Sequence, residues 1–306
     1  MITNENYRTL SSTSPRGLRH NLPPMRLWQK AKRLGIWNPS DIDLTQDKRD
    51  WEGLNEDEQS YLKRLCASFM AGEESVTLDL LPLLRTVAEE GRIEEEMYLT
   101  SFLWEEAKHL EGFRRFFDEV AHDQSDLSRF YNSSFKKIFY DELPSAMNRL
   151  YTDTSVEAQV RASVTYNMII EGVMAENGYY TFSLVLTRNN LMPGMQQFVA
   201  YLKRDESRHI AFAIYFLSRL IAEYGDRAWN AIEERMYEMM TLVRESGTPN
   251  YSIYKSGKPP FNLNSEELSA YSTMQFNKRF ERLRKARTQT LDEINNIANN
   301  LDEALA

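Results

Sequence analysis

The sequence predicts an all-α protein, a large helical bundle, and three observations carry that expectation. Apolar residues recur at three- and four-residue steps over long stretches, the spacing of one helix face. Only 12 Gly and 10 Pro occur in 306 residues, too few for a turn-rich β protein. No two segments alternate as the strands of a hairpin would.

The elements follow in order. Residues 1–50 read as an irregular extension interrupted by Pro15, Pro23, Pro24 and Pro39, with one short basic helix from Met25 to Leu34. From Asn55 the pattern changes: Tyr61, Leu62, Leu65, Phe69, Val76, Leu80 and Leu84 mark a long helix that Gly91 breaks. A second long helix is expected over about Glu94 to Ala121, and a shorter helix or two between Asp126 and Leu150, with Pro144 as a boundary. Helices follow over about Ser155 to Thr187 and Met195 to Tyr224, separated by Asn189, Asn190 and Pro193. One more runs from Ala228 to about Arg244. Glu245 to Ser265, with two Gly and three Pro, reads as a surface loop. The last helix is expected over about Met274 to Asn299, with the basic run Lys278 to Arg287 as a solvated face.

Composition narrows the function classes. With 45 acidic and 37 basic residues the net charge is −8, which argues against broad electrostatic binding to nucleic acid or an anionic membrane. The longest purely apolar run, Ile210 to Leu217, is too short for a transmembrane segment, and the N-terminal residues lack the apolar core of a signal peptide. The single cysteine, Cys66, excludes an intrachain disulfide or a multi-thiolate zinc site and reads as a small core residue. A cytoplasmic location is expected. There is no Walker loop, dinucleotide fingerprint or nucleophile elbow.

The chemistry lies in a weak internal repeat. Glu73 precedes a Glu-x-x-His pair, Glu106 and His109, and Glu171 precedes a second, Glu206 and His209. A helix turns about 100° per residue, so each Glu and the His three positions on share a face and can bind one ion. The contexts match: Trp-Glu-Glu-Ala-Lys-His and Arg-Asp-Glu-Ser-Arg-His. A third such pair, Glu119 and His122, lies about 220° around the helix from Glu106 and is assigned to the surface, as is His20. From Ala162 to Thr187 there is no Lys or Arg, and the only acids are Glu171 and Glu176. A buried carboxylate in so apolar a segment needs a proton, a hydrogen bond or a metal. Glu74 and Glu176 remain alternatives to their neighbours Glu73 and Glu171. Four carboxylates and two neutral imidazoles carry −4, which two divalent cations neutralise. This is the ligand set of ferritin-like carboxylate bundles, and its hard oxygens and imidazoles suit iron or manganese.

On these residues the chain resembles the ferritin-like superfamily that includes the ribonucleotide reductase small subunit, and more closely the ligand-binding oxidases related to that subunit. Residues 55–225 carry the match. Reductase subunits typically place a radical-forming Tyr four residues after the first metal His; here Phe113 occupies that position. Residues 72–77, Gly-Glu-Glu-Ser-Val-Thr, resemble the oxidase segment with Val76 three residues after the first ligand. Residues 165–172, Thr-Tyr-Asn-Met-Ile-Ile-Glu-Gly, place Tyr166 five residues before the metal Glu.

The resemblance implies one ferritin-like oxidase domain over 1–306, with an N-terminal extension (1–50), a core bundle (55–225) and additional C-terminal helices (226–306). It implies a manganese/iron cofactor, with di-iron as the alternative, held by Glu73, Glu106, His109, Glu171, Glu206 and His209. It further implies dioxygen as oxidant, a long-chain fatty acid ligand, a homodimer and an ether bond from the Tyr166 oxygen to the Val76 β-carbon. Asp205 is expected to orient His109 from behind the metal site. The five-residue step from Tyr166 to Glu171 turns about 140° on an ideal helix, so the ether bond requires a local distortion such as a π-bulge. Two other readings stay open: a manganese/iron reductase small subunit, and a non-enzymatic iron store.

Overall fold

The computed structural model describes residues 10–246 and 251–296, the Ser246 side chain excepted; the expected C-terminal positions beyond 296 lie outside it. Among the described residues there is no β-strand. The architecture is an all-α, ferritin-like bundle with additional helices. Also among them, no helix is long and apolar enough to cross a membrane.

The N-terminal region is more regular than expected. It holds α1 (Pro23–Leu34) and a second helix, α2 (Thr45–Gly53). The buried Asp47 of α2 explains that order, because its carboxylate accepts the N–H groups of Gly194 and Met195 at 2.9 and 2.7 Å. It thereby caps the N-terminus of a distant helix, where the dipole favours negative charge.

Next come α3 (Glu56–Asp79), α4 (Leu81–Glu89) and α5 (Ile93–Arg115). Asn55 and Glu58 close a capping box that starts α3. Pro82 separates α4 from α3, and Gly91 breaks the chain at φ +70°, a conformation that glycine adopts without strain. α5 continues as a π-helical turn, Phe116–Val120. Short pieces follow: α6 (Ser133–Lys136), a π-helical turn (Lys137–Glu142) and α7 (Leu143–Asn148).

The stretch expected as one helix over 155–187 is continuous but not uniform. α8 (Val156–Ser163) passes into a π-helical segment, Val164–Ala175, then α9 (Glu176–Phe182) and a last π turn, Ser183–Thr187. The central helix, α10 (Pro193–Tyr224), is buried nearly all round from Asp205 to Ile221, the mark of a helix inside a bundle. α11 (Asp226–Ser246) follows a turn at Gly225 with φ +60°.

The expected last helix, 274–299, divides in two and starts earlier: α12 (Ser265–Ala286) and α13 (Leu291–Asn295). Thr290 and Glu293 form a capping box that begins a new helix and seats Ile294 in the core. The basic run is only partly solvated. Arg279 is buried and reaches Glu176 at 3.3 Å.

Two apolar clusters fill the interior. One gathers Val76, Phe102, Tyr166, Ile170 and Ile210; the other gathers Cys66, Phe113, Tyr179, Phe182 and Leu202. Along α3, α5, the α8–α9 run and α10, the chain passes from one cluster to the other between these residues. The repeated Glu and His residues sit at that boundary.

Asp79, the last residue of α3, is 7% exposed, and no described residue donates a hydrogen bond to it. Burial lifts its pKa to about 6. An unfolded Asp titrates near about 3.9, so the fold binds this proton more tightly and loses stability as the pH rises through that window. Asp79→Asn should raise the melting temperature at pH 8, and the gain should shrink as the pH falls from 6 towards 4; thermal scans across that range check it.

Candidate metal centre

Glu73 comes from α3, Glu106 and His109 from α5, Glu171 from the π-helical segment, and Glu206 and His209 from α10. All six are buried. Their donor atoms form two groups, each within 4.8 Å: Glu73, Glu106, His109 and Glu206, and Glu106, Glu171, Glu206 and His209. Glu106 and Glu206 belong to both. The His109 Nδ1 lies 3.5 Å from Glu73, 3.7 Å from Glu106 and 3.5 Å from Glu206. The His209 Nδ1 lies 2.9 Å from Glu106, 3.7 Å from Glu171 and 3.5 Å from Glu206.

The donor set fits a pair of metal ions. Glu106 Oε1, His109 Nδ1, Glu171 Oε1, Glu206 Oε2 and His209 Nδ1 are all buried without a hydrogen-bond partner. Buried polar atoms without partners are costly, and here they converge on one point. Oxygen donors with imidazole suit iron or manganese, and the only thiol, Cys66, is packed in the second apolar cluster.

Behind the imidazoles the internal repeat crosses over. Nε2 of His109 faces Asp205 Oδ2 at 3.4 Å, and Nε2 of His209 donates to Glu105 Oε2 at 2.9 Å. Each acid directly precedes the Glu of the opposite pair. The cation before each His completes the pattern. Arg208 Nη2 donates to Glu105 and Asp205 at 2.6 and 2.5 Å, while Lys108 Nζ lies 3.6 Å from Asp205 and donates to the Gly35 carbonyl at 2.6 Å. Trp37 adds a donor, its Nε1 bonding Asp205 Oδ2 at 2.7 Å. These contacts leave each Nδ1 turned towards the centre. Asp205 thus stands where its expected role requires, and Glu105 is its counterpart.

The sequence reading missed Glu105, Lys108, Arg208 and Trp37. The first three were detectable, since Glu-Glu-x-Lys-His and Asp-Glu-x-Arg-His repeat position by position. Trp37 carries no local signal, because it acts from a loop far away in sequence.

Burial shapes the titration of the centre. It raises the pKa of Glu73 and Glu206, and Glu106's charge adds to the rise; for Glu171 the second contribution is Glu206. Glu106 is the exception. Burial opposes its charge, but the neighbouring imidazoles of His109 and His209 outweigh it and lower its pKa. Burial likewise opposes charge on the two imidazoles, and the surrounding carboxylates outweigh it and raise both.

The alternatives separate cleanly. Glu74 is exposed, and Glu176 faces Arg279 and Tyr271. Glu119 pairs with Arg115 and Lys48, and His122 and His20 are exposed. Tyr166 and Val76 are buried in the same apolar cluster. Tyr166 lies in the π-helical segment, where i and i+5 are hydrogen-bonded neighbours, so the distortion its five-residue step requires is present. Its hydroxyl lacks a hydrogen-bond partner, and burial followed by the charges of Glu106, Glu171 and Glu206 raises its pKa. Phe113 packs in an aromatic group with Phe69, Phe182 and Phe198.

A cavity of about 750 Å³ adjoins the centre. Glu73, Glu106, Glu171 and Glu206 line one part of it, and Val76, Phe69, Phe139, Met174 and Met240 supply apolar wall. Its volume lies within the range of small-molecule sites, roughly 300–1,000 Å³.

One Glu from each of two helical runs and Glu-x-x-His from each of two others define a ferritin-like dinuclear carboxylate protein. The family model "Ribonucleotide reductase, small chain" matches residues 24–287. An R2-like ligand-binding oxidase with aerobically reconstituted Mn/Fe cofactor is 39% identical, with a TM-score of 0.85 over 90% of this chain and 98% of that one. The R2-like ligand-binding oxidase from Sulfolobus acidocaldarius is also 39% identical, with a TM-score of 0.84 over 94% of this chain and 98% of that one. The chain belongs to the ribonucleotide reductase small chain family, and within it to the R2-like ligand-binding oxidases.

Glu105 is fully buried and accepts from both Arg208 and His209. Removing one partner of a buried ion pair costs about 3–5 kcal/mol, and Asp205 still holds Arg208 here. Glu105→Gln should therefore destabilise the metal-free protein by about 3 kcal/mol, read from its urea unfolding midpoint.

Proposed function

We propose that this protein is an oxygen-activating manganese/iron oxidase that binds a long-chain fatty acid and carries out two-electron C–H oxidation, including formation of its own Tyr166–Val76 ether. The observation that carries the reading is the pair of overlapping four-donor groups opening onto one largely apolar cavity. The relatives with reconstituted Mn/Fe cofactor support the choice of metals.

In this reading Glu73, Glu106 and His109 hold manganese, and Glu171, Glu206 and His209 hold iron, with Glu106 and Glu206 within reach of both. When bound, the metal pair supplies the reduction of dioxygen and an oxidant able to attack an unactivated C–H bond. The residues do the rest. Glu105 and Asp205 orient the two imidazoles from behind, and the apolar wall excludes water. The fatty acid carboxylate sits at the centre, with its chain along the cavity. Ether formation removes the Tyr166 hydroxyl hydrogen and one hydrogen from the Val76 β-carbon, forms one O–C bond, and passes two electrons and two protons to dioxygen. In this reading Glu171, whose charge acts on the Tyr166 hydroxyl, takes its proton. Phe113 has no phenol, so a stored tyrosyl radical at that position is not part of the proposal. A homodimer and a cytoplasmic location complete it, on the family resemblance.

Glu171→Ala should fail to retain two metals and should lose metal-dependent oxygen consumption; elemental analysis and an oxygen electrode read both. Unchanged uptake would sink the ligand assignment. Tyr166→Phe should keep its metals, yet peptide mass spectrometry after anaerobic loading and exposure to air should show no joined peptides. The parent protein should yield a Tyr166–Val76 peptide pair lighter by two hydrogens, and only after oxygen.

A further inference from the structure

The cavity runs along a single face of α3. Arg64, Ser68, Phe69, Gly72, Glu73 and Val76 all line it, and their spacing is that of one helical stripe. The wall therefore has a carboxylate near one end and a guanidinium near the other.

Arg64, like the half-buried Arg204 and Arg282, has no carboxylate partner among the described residues, and of these three it alone lines the cavity. The buried guanidinium groups of Arg208, Arg219, Arg235 and Arg279 each face a carboxylate. Arg64 is half-buried, and none of the ion pairs among the described residues includes it. It donates from Nη1 to the Phe130 carbonyl at 2.7 Å, lies over the Phe130 ring and contacts the Tyr254 hydroxyl. Its Nε is buried without a partner. Arg129, also in the wall, already pairs with Asp123 at 3.0 Å.

We infer that Arg64 binds a second anionic group at the far end of the ligand, so that the cavity prefers an α,ω-dicarboxylic acid to a simple fatty acid. The inference rests on the fatty-acid reading above and specifies the class of acid. Arg64 precedes Glu73 by nine residues of unbroken α-helix, about 13.5 Å of rise. An extended alkyl chain advances roughly 1.3 Å per C–C bond, so a chain of roughly ten to eleven bonds spans the two levels. Dodecanedioate has that length. One carboxylate takes the metal end, the methylenes lie against Phe69 and its apolar neighbours, and the other carboxylate meets the guanidinium, the geometry that arginine recognises best.

The test is calorimetric titration of delipidated, manganese/iron-loaded protein with dodecanoate, 12-hydroxydodecanoate and dodecanedioate. The diacid is expected to bind at least tenfold more tightly than the other two, and Arg64→Leu to remove that advantage while leaving dodecanoate affinity unchanged. Equal affinity for dodecanoate and the diacid in the parent protein overturns the inference, whatever the variant does. Equal binding of the hydroxy acid and the diacid overturns the anionic assignment. A parallel loss for dodecanoate and the diacid in Arg64→Leu overturns it too, because it puts a single head group on Arg64. If none of the three acids binds while hexadecanoate does, the inference falls and the fatty-acid reading stands; if hexadecanoate also fails to bind, both fall.

Discussion

The structure depends on keeping four carboxylates and two imidazoles together inside a helical core. Two like charges about 4 Å apart repel by about 4 kcal/mol at an effective dielectric of 20, and burial adds to that cost. The protein answers in two ways. Without metal, the raised pKa values of Glu73, Glu171 and Glu206 favour their protonated forms. Around the centre, the crossed contacts of Glu105 with His209 and Asp205 with His109 tie α5 to α10 through hydrogen bonds to both rings. Arg208 bonds both acids at once. The orientation of each imidazole is thus set by the helix opposite, and neither Glu-x-x-His pair is positioned without the other.

The same constraint accounts for the π-helical segment. An ordinary helix would turn Tyr166 away from the Glu171 face. Over Val164–Ala175 the wider turn brings both towards the centre, and side chains hold the ends of that segment. Ser163 donates to Asn167, whose amide donates to Glu171 at 3.0 Å. Arg235 bonds the Thr165 hydroxyl at 2.8 Å. At Gly172 a Cβ would lie 3.1 Å from the Asn167 carbonyl oxygen of the same segment, a tight contact that the missing side chain avoids. A locally unfavourable backbone persists because its neighbours leave it no alternative.

This balance explains what could be read from the sequence. The long helices and the six central residues were legible because they depend on spacing along one helix, which the chain order records directly. Gly91 was visible as a break for the same local reason. The division of the last helix was encoded in Thr290-Leu-Asp-Glu293, a local cap masked by the charged periodic pattern around it. Trp37, the Asp47 cap on α10 and the burial of Arg279 were not legible. Each depends on which loop or helix meets which, and no local pattern around these residues states that. The choice between Glu171 and Glu176 belongs to the same class, since the arrival of α12 with Arg279 and Tyr271 gives Glu176 its partners.

The α3 face shows how these constraints meet. A helical stripe containing Phe69 and Val76 would ordinarily be buried against another helix. Here part of it borders about 750 Å³ of cavity, although Val76 is buried and Phe69 stacks on Phe113. In the proposed reading a ligand lies along that face and reaches Glu73 at the edge of the metal centre. Occupancy of the cavity and occupancy of the centre therefore act on one helix. By linkage, any effect of one on the other is reciprocal and equal in size. In the proposed reading the apolar wall and the charged centre hold the two ends of one ligand, and the fold sets one beside the other on α3.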